Sequence, residues 1–311
     1  MSARTRMSTT AAFAVVACLT AQATMAQPGD TRLERLLHDD RRTVLVASHR
    51  ACWKKTSENS IDGIRRCAAD GIDIVEIDVR TTRDDVLVLM HDETVDRTTD
   101  GHGAVADLTA AEIAKLRLRE RGGGPGTRLT EGRVPTFAQA LAAIRDRVLM
   151  NIDVKAAALP RVIDAVVAAR ATRAVILNVP IDVDPAIMRR AQQLGIAAQP
   201  VYLEREQRGP ASAALARAAA HRPASIQLIF DTPAVVDTAR AAAKETRLFV
   251  NTMAFDIERG TPMNLSGPYL DARAVTDPDA VWGALIAHGV TIIQTDEPWR
   301  LRAWLRARRL R

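Results

Sequence analysis

The chain has 311 residues, of which 47% are hydrophobic, 26% charged and 4% aromatic, with 43 Lys and Arg against 37 Asp and Glu. This composition excludes disordered, collagen-like and coiled-coil proteins. Since the excess of positive charge is spread along the chain, nucleic acid is not expected as a partner. The length fits either two average domains or a single α/β barrel.

The first 26 residues have the pattern of a secretory signal peptide. Two arginines precede an apolar run over residues 11–23, and small residues suited to cleavage follow. We therefore expect a secreted protein, periplasmic in a Gram-negative cell, with residues 27–42 as a lead-in segment. The apolar run is shorter than the roughly 20 residues that span a bilayer, so no stable membrane span is expected. A lipid anchor through Cys18 is the alternative.

The two cysteines beyond this leader are Cys52 and Cys67. Cys67 shares a predicted helical face with Ile61, Ile64 and Ala68, which favours a buried free thiol. A disulfide between the two cysteines in an oxidising compartment stays open as the alternative.

From residue 43 onward, short β-branched runs alternate with alanine-rich segments of helical period. The predicted strands cover residues 43–48, 72–79, 148–154, 174–179, 197–203, 224–229, 247–251 and 290–295. Predicted helices cover residues 60–69, 160–170, 185–194, 211–220, 233–244 and 277–288. Eight such alternations predict a TIM barrel, an α/β fold with eight parallel strands, as one domain over residues 43–311. A doubly wound open sheet is the alternative.

An irregular region over residues 92–135 contains the glycine-rich segment 121–126. The segment lacks the Lys-Ser/Thr pair that completes a phosphate-binding P-loop. We therefore expect a flexible surface loop there.

The second predicted strand carries two acidic residues. A period of two places Glu76 and Asp78 on one face and Val75, Ile77 and Val79 on the other. In a barrel the apolar face packs under the helices, so both carboxylates point inward, where like charges are costly without a cation. The pattern favours a divalent metal with oxygen ligands, and buried salt bridges to arginines are the alternative.

The third predicted strand places Asn151, Asp153 and Lys155 on one face. Asp153 can supply a third oxygen ligand, and Lys155 a positive charge for an anionic substrate. This set fits phosphate ester chemistry, because a metal and cations neutralise charge on the non-bridging oxygens. Zinc is disfavoured, since the ligands are mainly carboxylates.

Two histidines follow apolar runs near these strands. His49, with Arg50, ends the first strand, and His91 follows the run over residues 86–90. The carboxyl ends of barrel strands form the active-site face. With an ordinary pKa of about 6.5, one imidazole can deprotonate a nucleophile while the other protonates a leaving alkoxide.

Together these motifs resemble the glycerophosphodiester phosphodiesterase family. The motifs, in the family's order, are His49-Arg50, Glu58-Asn59, Glu76-Ile77-Asp78-Val79, His91-Asp92 and Asn151-Ile152-Asp153-Val154-Lys155. The resemblance implies a TIM barrel that uses a divalent cation, usually calcium or magnesium, to hydrolyse glycerophosphodiesters to glycerol 3-phosphate and an alcohol. It leaves open whether a glycerol hydroxyl attacks first, giving a cyclic phosphate, or water attacks directly.

Carried over residue by residue, the resemblance assigns a role to each motif residue. It implies a metal site of Glu76, Asp78 and Asp153, the acid/base pair His49 and His91, and phosphate contacts from Arg50 and Lys155. Glu58, at the mouth of the site, would bind the metal, orient a histidine or touch the glycerol. Asn251, on the seventh strand, is a further supporting residue.

The chain also departs from the family's pattern. Ala51 and Ser57 stand where the family usually has glycine and proline, so the first loop is expected to differ in shape. Asp153 replaces a common glutamate, which leaves the metal preference open. Trp53 or Phe255 would line the pocket or pack in the core.

The substrate expected from these motifs is a small-molecule phosphodiester, with glycerophosphocholine or glycerophosphoethanolamine favoured. Alternatives are a lysophospholipid, a glycerophosphoinositol, a polymeric phosphodiester, or a barrel that binds phosphodiesters without cleaving them. A wide apolar groove beside the site would favour the lysophospholipid. The oligomeric state stays open.

Overall fold

The computed structural model describes Leu37, residues 42–144 and residues 147–311. The predicted signal peptide over residues 1–26, with Cys18, lies outside these residues. Within the described chain, no helix combines the length and apolar content needed to cross a membrane.

The strands of the described chain are, from the amino to the carboxyl end, β1 (Leu45–Ser48), β2 (Ile74–Thr81), β3 (Leu87–Leu89), β4 (Arg117–Arg119), β5 (Leu129–Arg133), β6 (Leu149–Ala156), β7 (Val175–Pro180), β8 (Ala197–Leu203), β9 (Ser225–Ile229), β10 (Arg247–Asn251), β11 (Phe255–Asp256), β12 (Thr261–Pro262) and β13 (Val290–Thr295).

The α-helices follow the same order. They are α1 (Ile61–Ala69), α2 (Ala110–Ile113), α3 (Phe137–Ile144), α4 (Leu159–Ala168), α5 (Pro185–Gln193), α6 (Ala211–Ala220), α7 (Ala234–Ala242), α8 (Asp271–Ala274), α9 (Ala284–Ala287) and α10 (Pro298–Ala307). A π-helical turn, Asp279–Gly283, leads directly into α9.

Eight parallel strands form a closed barrel in the spatial order β1, β2, β6, β7, β8, β9, β10 and β13. β1 pairs with both β2 and β13, which closes the sheet. Each barrel strand begins and ends within two residues of a predicted strand. The predicted TIM barrel is confirmed, and the alternative of an open sheet is wrong, because closure leaves the barrel without an edge.

Alternation along the strands gives the barrel an outer and an inner layer of side chains. On β2, Val75, Ile77 and Val79 belong to the core between strands and helices. Ile74 belongs to an inner cluster near the amino ends of the strands, and Leu37 packs in the same cluster. Further along β2, the inward positions carry carboxylates, so the polar site lies toward the carboxyl ends of the strands.

A short antiparallel strand brings His91 back toward the barrel. β3 pairs with the end of β2, with Val79 opposite Leu89. The backbone N–H of Met90 donates to the carbonyl oxygen of Asp78 at 3.0 Å. The run over residues 86–90 is thus the return strand that places an imidazole beside the acidic strand.

The glycine-rich segment 121–126 is packed at its start. Gly122 is buried, and a Cβ there would lie 2.6 Å from the side chain of Ile257. Gly123 has a φ of +67°, and a Cβ there would lie 2.3 Å from the carbonyl oxygen of Arg97. The expectation of a surface loop therefore fits only residues 124–126, which follow these two glycines.

Cys52 and Cys67 form a disulfide, with their Cα atoms 5.8 Å apart. The expectation of a buried free thiol is wrong, although both residues are buried, at 1% and 0% exposure. The periodic pattern of α1 indicates that Cys67 faces inward. It carries no information on where the loop after β1 returns, and this loop folds back onto the same face of α1.

Removing the disulfide should destabilise the protein. Replacing both cysteines, Cys52→Ala with Cys67→Ala, should lower the free energy of unfolding by about 3 kcal/mol, because the bond closes a loop of 15 residues. Urea unfolding of the double variant and of reduced wild-type protein would measure this. A midpoint unchanged by both treatments would contradict a structural role for the bond.

Candidate active site

Three carboxylates meet on the adjacent strands β2 and β6. The parallel register places Asn151 beside Glu76 and Asp153 beside Asp78. Oxygen atoms of Glu76, Asp78 and Asp153 lie within 4.8 Å of one another. The first two are almost fully buried and Asp153 is partly buried. The inward face predicted from the period of two thus holds a compact acidic cluster.

The cluster carries more negative charge than its surroundings compensate. Burial, followed by the charges of Asp78 and Asp153, raises the pKa of Glu76 well above its ordinary value. Burial also opposes ionisation of Asp78, but Lys155, His91 and Arg50 hold its pKa below its ordinary value. The position of Glu76 therefore requires a bound proton or an added cation.

The donor set fits a hard divalent cation. All three ligand atoms are carboxylate oxygens, which calcium and magnesium prefer, whereas zinc favours nitrogen and sulfur ligands. The raised pKa of Glu76 is the second observation that agrees, because a metal ion would relieve the same repulsion.

Lys155 lies between two of these carboxylates. Its Nζ donates to Asp153 at 2.7 Å and lies 3.3 Å from Asp78. Burial opposes its charge, but Asp78 and Asp153 raise its pKa above the ordinary value. A protonated amine therefore lies at the edge of the acidic cluster, where it can also meet an anionic ligand.

Arg50 begins a left-handed turn after β1. The φ values of Arg50, Ala51 and Cys52 are 45°, 55° and 55°. The backbone N–H of Arg50 donates to Glu76 at 2.8 Å, and that of Cys52 donates to Ser48 Oγ at 3.0 Å. The first loop thus adopts this turn without the family's usual glycine, and the hydrogen bonds and the disulfide offset the cost of the left-handed region.

Glu58 connects the two arginines of the site. Its carboxylate accepts hydrogen bonds from Arg50 at 3.2 and 3.3 Å and from Arg97 at 2.7 and 2.8 Å. Arg97 also donates to both oxygens of Asp92. Asp92 in turn contacts His91 at 2.9 Å. The carboxylate of Glu58 is thus linked to His91 through Arg97 and Asp92.

His91 is held by two carboxylates. Its Nδ1 lies 2.9 Å from Asp92 and 3.5 Å from Glu258. Glu258 lies in the hairpin of β11 and β12, which the sequence pattern does not reveal. Contact through Nδ1 leaves Nε2 as the nitrogen able to exchange a proton with a ligand.

His49 has a similar partner at the far end of the chain. Its Nδ1 lies 2.9 Å from Asp296, which directly follows β13. Asp296 also accepts a hydrogen bond from the indole N–H of Trp53 at 2.6 Å. Burial opposes ionisation of Asp296, but His49 holds its pKa below the ordinary value. A buried carboxylate thus fixes the orientation of this imidazole.

A second buried acid, Asp271, lies behind this pair. It accepts hydrogen bonds from the hydroxyls of Thr252 and Thr295 at 2.6 and 2.7 Å and from the backbone N–H of Asp296 at 2.8 Å. Burial nevertheless raises its pKa from 3.8 to about 6. The sequence gives no sign of this residue, because α8 brings it in from outside the barrel.

The raised pKa of Asp271 predicts a specific pH dependence of stability. Between about pH 4 and pH 6 the unfolded chain ionises this carboxyl while the folded protein keeps it protonated, so its contribution to the free energy of unfolding falls as pH rises. The loss amounts to about 3 kcal/mol at most. Asparagine does not titrate, so Asp271→Asn should remove this pH-dependent loss of stability.

Urea unfolding of wild type and Asp271→Asn at about pH 4 and about pH 7 would test this. The unfolding free energy of Asp271→Asn minus that of wild type should be larger at about pH 7 than at about pH 4. A difference that is the same at both pH values would contradict the assignment.

A cavity of about 690 Å³ joins these groups. Its lining includes every predicted site residue except Glu58, namely His49, Arg50, Glu76, Asp78, His91, Asp153, Lys155 and Asn251. Trp53 and Phe255 are outside the lining of this cavity. Trp53 instead supports Asp296, and Phe255 is 48% exposed.

The chain matches two sequence profiles. Residues 49–196 match the glycerophosphoryl diester phosphodiesterase family. Residues 204–305 match a domain of unknown function. The first match covers the strands that carry the acidic cluster, both histidines and both cations.

Among curated proteins, the chain is similar to glycerophosphodiester phosphodiesterases. It is 42% identical over 112 residues to that of Caldanaerobacter subterraneus subsp. tengcongensis, which covers 36% of this chain and 45% of the relative. It is 37% identical over 135 residues to glycerophosphodiester phosphodiesterase 1 of Mus musculus, covering 41% and 38%. The matched segment thus spans less than half the length of each relative.

Solved structures share the fold over most of the chain. A glycerophosphoryl diester phosphodiesterase from Parabacteroides distasonis is 22% identical, with a TM-score of 0.66 over 88% of this chain and 92% of that one. A phosphodiesterase from Oleispira antarctica, in complex with the product sn-glycerol-3-phosphate, is 19% identical, with a TM-score of 0.58 over 84% and 96%.

Proposed function

The chain belongs, through residues 49–196, to the glycerophosphodiester phosphodiesterase family, and we propose that it hydrolyses glycerophosphodiesters to glycerol 3-phosphate and an alcohol. One observation carries the proposal. The three carboxylates Glu76, Asp78 and Asp153, and two histidines each held by a carboxylate, line the same cavity. This arrangement supplies the charge compensation and the proton transfers that a phosphodiester needs.

The reaction is proposed to depend on a divalent cation, calcium or magnesium. Glu76, Asp78 and Asp153 would hold it. When bound, it neutralises charge that develops on the phosphate oxygens. Lys155 and Arg50, both in the cavity lining, would add positive charge and hold the phosphate.

His49 and His91 are proposed as the acid/base pair. Each ring is held through Nδ1 by a carboxylate, Asp296 or Asp92, so each can exchange a proton through Nε2. One histidine removes the proton of the attacking hydroxyl, and the other gives a proton to the leaving oxygen. The same two transfers serve a glycerol hydroxyl or a water molecule as the nucleophile.

Product analysis with glycerophosphocholine tests the proposal. The full reaction should yield glycerol 3-phosphate and choline in equal amounts. Glycerol with phosphocholine would mean that the other ester bond is cleaved. Absence of products from folded protein supplied with calcium and magnesium would favour the non-catalytic phosphodiester-binding barrel.

Secretion is also a proposal. A disulfide between Cys52 and Cys67 supports it, because such bonds persist mainly in oxidising compartments. The mature protein should begin after Ala23 or Ala26, and sequencing of its amino terminus would check this. An amino terminus at a lipidated Cys18 would instead support the anchor.

A further inference from the structure

The first loop, which covers residues 50–57 between β1 and α1, lies directly against α1. A disulfide joins Cys52 of the loop to Cys67 of the helix. One turn earlier on the same face of α1, a Cβ on Gly63 would lie 2.1 Å from the carbonyl oxygen of Ala51. Because no side chain fits at that distance, glycine is needed there for the loop backbone to approach the helix. One covalent and one close steric contact therefore fix the loop at Ala51 and Cys52.

The backbone at this point of the loop needs such a restraint. Arg50, Ala51 and Cys52 all have φ values in the left-handed region, and among the described residues no other three in succession do. This region is unfavourable for residues that carry a Cβ, so the run persists only where its surroundings hold it. The disulfide is the covalent restraint, and it lies at the last residue of the run.

The left-handed turn orients one of the three carboxylates of the acidic cluster. The backbone N–H of Arg50 donates to Glu76 at 2.8 Å, and among the hydrogen bonds of the described residues this is the only one that the Glu76 carboxylate accepts. The peptide plane that carries this N–H is fixed by the turn. The position of a buried carboxylate on β2 therefore depends on the backbone of the first loop.

The residue after the disulfide supports one of the two histidines. The indole N–H of Trp53 donates to Oδ1 of Asp296 at 2.6 Å, and Nδ1 of His49 lies 2.9 Å from the same oxygen. Asp296 is buried, so its carboxylate depends on these few contacts for its orientation. Trp53 thus holds the carboxylate that in turn holds the imidazole.

Two further contacts join the first loop to the segment after β13. Nζ of Lys54 lies 2.5 Å from Glu297, and Nζ of Lys55 lies 3.6 Å from the centre of the Trp299 ring. The indole N–H of Trp299 donates at 2.6 Å to Asp70, which directly follows α1. The first loop, α1 and the segment after β13 are therefore linked to one another at the carboxyl end of β1.

We propose that the disulfide and Trp53 are positioning elements of the active site. The disulfide holds the turn that orients Glu76 toward the metal, and Trp53 holds Asp296 where it orients His49. Neither Cys52 nor Trp53 belongs to the cavity lining, so each acts through another residue. The inference rests on the proposed function, which supplies the roles of Glu76 and His49.

Metal affinity tests the disulfide. Cys52→Ala with Cys67→Ala should weaken binding of calcium or magnesium by about tenfold or more in calorimetric titration. Leu215→Ala is the control, because Leu215 is buried in α6, outside the cavity lining, and its truncation lowers stability without touching the loop. Circular dichroism verifies that each protein is folded under the conditions of the titration. Equal metal affinity in the double variant, the control and wild type would overturn the role of the disulfide.

A second variant tests the same turn with the disulfide intact. Gly63→Ala would force the carbonyl of Ala51 away from α1, because the added Cβ leaves no room for it. Its metal affinity should also fall by about tenfold, so the test does not depend on folding of the protein without the disulfide. Wild-type affinity in Gly63→Ala would contradict the coupling between the turn and Glu76.

A double-mutant cycle tests Trp53. Trp53→Phe keeps an aromatic ring but loses the N–H donor, and it should lower kcat for glycerophosphocholine by about tenfold while metal affinity stays within about twofold of wild type. In the His49→Ala background the same substitution should change kcat by less than about twofold, because its effect passes through that imidazole. A tenfold loss that persists without His49 would overturn the positioning role of Trp53.

Failure of this inference is distinguishable from failure of the proposed function. If wild type cleaves glycerophosphocholine while the loop variants keep wild-type kcat and metal affinity, only the inference fails. If no glycerophosphodiester is cleaved but the variant without the disulfide still loses metal affinity, the proposed function fails and the role of the disulfide stands. Wild-type protein that binds neither calcium nor magnesium would overturn that role, because the turn would then orient no metal ligand.

Discussion

Glu76→Gln should abolish binding of calcium and magnesium and lower kcat for glycerophosphodiesters by at least about a thousandfold. Glutamine has nearly the same shape as glutamate but cannot carry a negative charge, so the cluster keeps only two carboxylates. Two carboxylates and a neutral amide bind a divalent cation far more weakly than three carboxylates. Activity and metal affinity should therefore fall together.

The variant should not unfold. Without metal, the raised pKa of Glu76 means that its ionised form is unfavourable in the folded protein, and a neutral glutamine avoids the repulsion that this form would meet from Asp78 and Asp153. Metal-free Glu76→Gln should be at least as stable as metal-free wild type. Glu131→Gln, on the exposed side of β5, is the matched control and should behave as wild type. Unchanged metal affinity in Glu76→Gln would refute the ligand assignment.

Replacement of either histidine should have the second large effect. His49→Ala and His91→Ala should each lower kcat by about 100- to 10,000-fold, because each removes a proton transfer to or from the reacting oxygens. Calorimetric affinity for calcium or magnesium should change little, since neither imidazole belongs to the three-carboxylate cluster. This separation of kcat from metal affinity distinguishes the histidines from Glu76.

His102→Ala is the control for the histidine variants. His102 has a side chain that is 87% exposed and contacts only Asp96 among the pairs that the structure describes. Its activity should equal that of wild type. Retention of activity by His49→Ala or His91→Ala, at matched metal loading, would show that the corresponding imidazole does not transfer a proton in the rate-limiting step.

The fold is predictable from the sequence because its signals are local. Continuous β-branched runs mark the eight barrel strands, and β8, β10 and β13 have the predicted bounds. The inward direction of Glu76 and Asp78 follows from the period of two alone. Their meeting with Asp153 follows once the strands are known to be parallel neighbours.

The supporting contacts are not predictable in the same way, because they join distant segments. His49 and Asp296 are 247 residues apart, and Arg97 and Glu58 are 39 apart. No periodicity relates such pairs. Asp271 and Glu258 come from irregular connections after β10, where hydrophobic patterning is weak.

The disulfide shows the same limit. The helical pattern places Cys67 on a buried face but cannot locate Cys52 opposite it.

Release of glycerol 3-phosphate from glycerophosphocholine, measured before and after removal of divalent metal, tests the central claim most directly. The metal site predicts that a chelator abolishes release and that excess calcium or magnesium restores it. Undiminished release by protein shown by elemental analysis to contain no divalent metal would contradict the account. In that case the carboxylates Glu76, Asp78 and Asp153 would need another role.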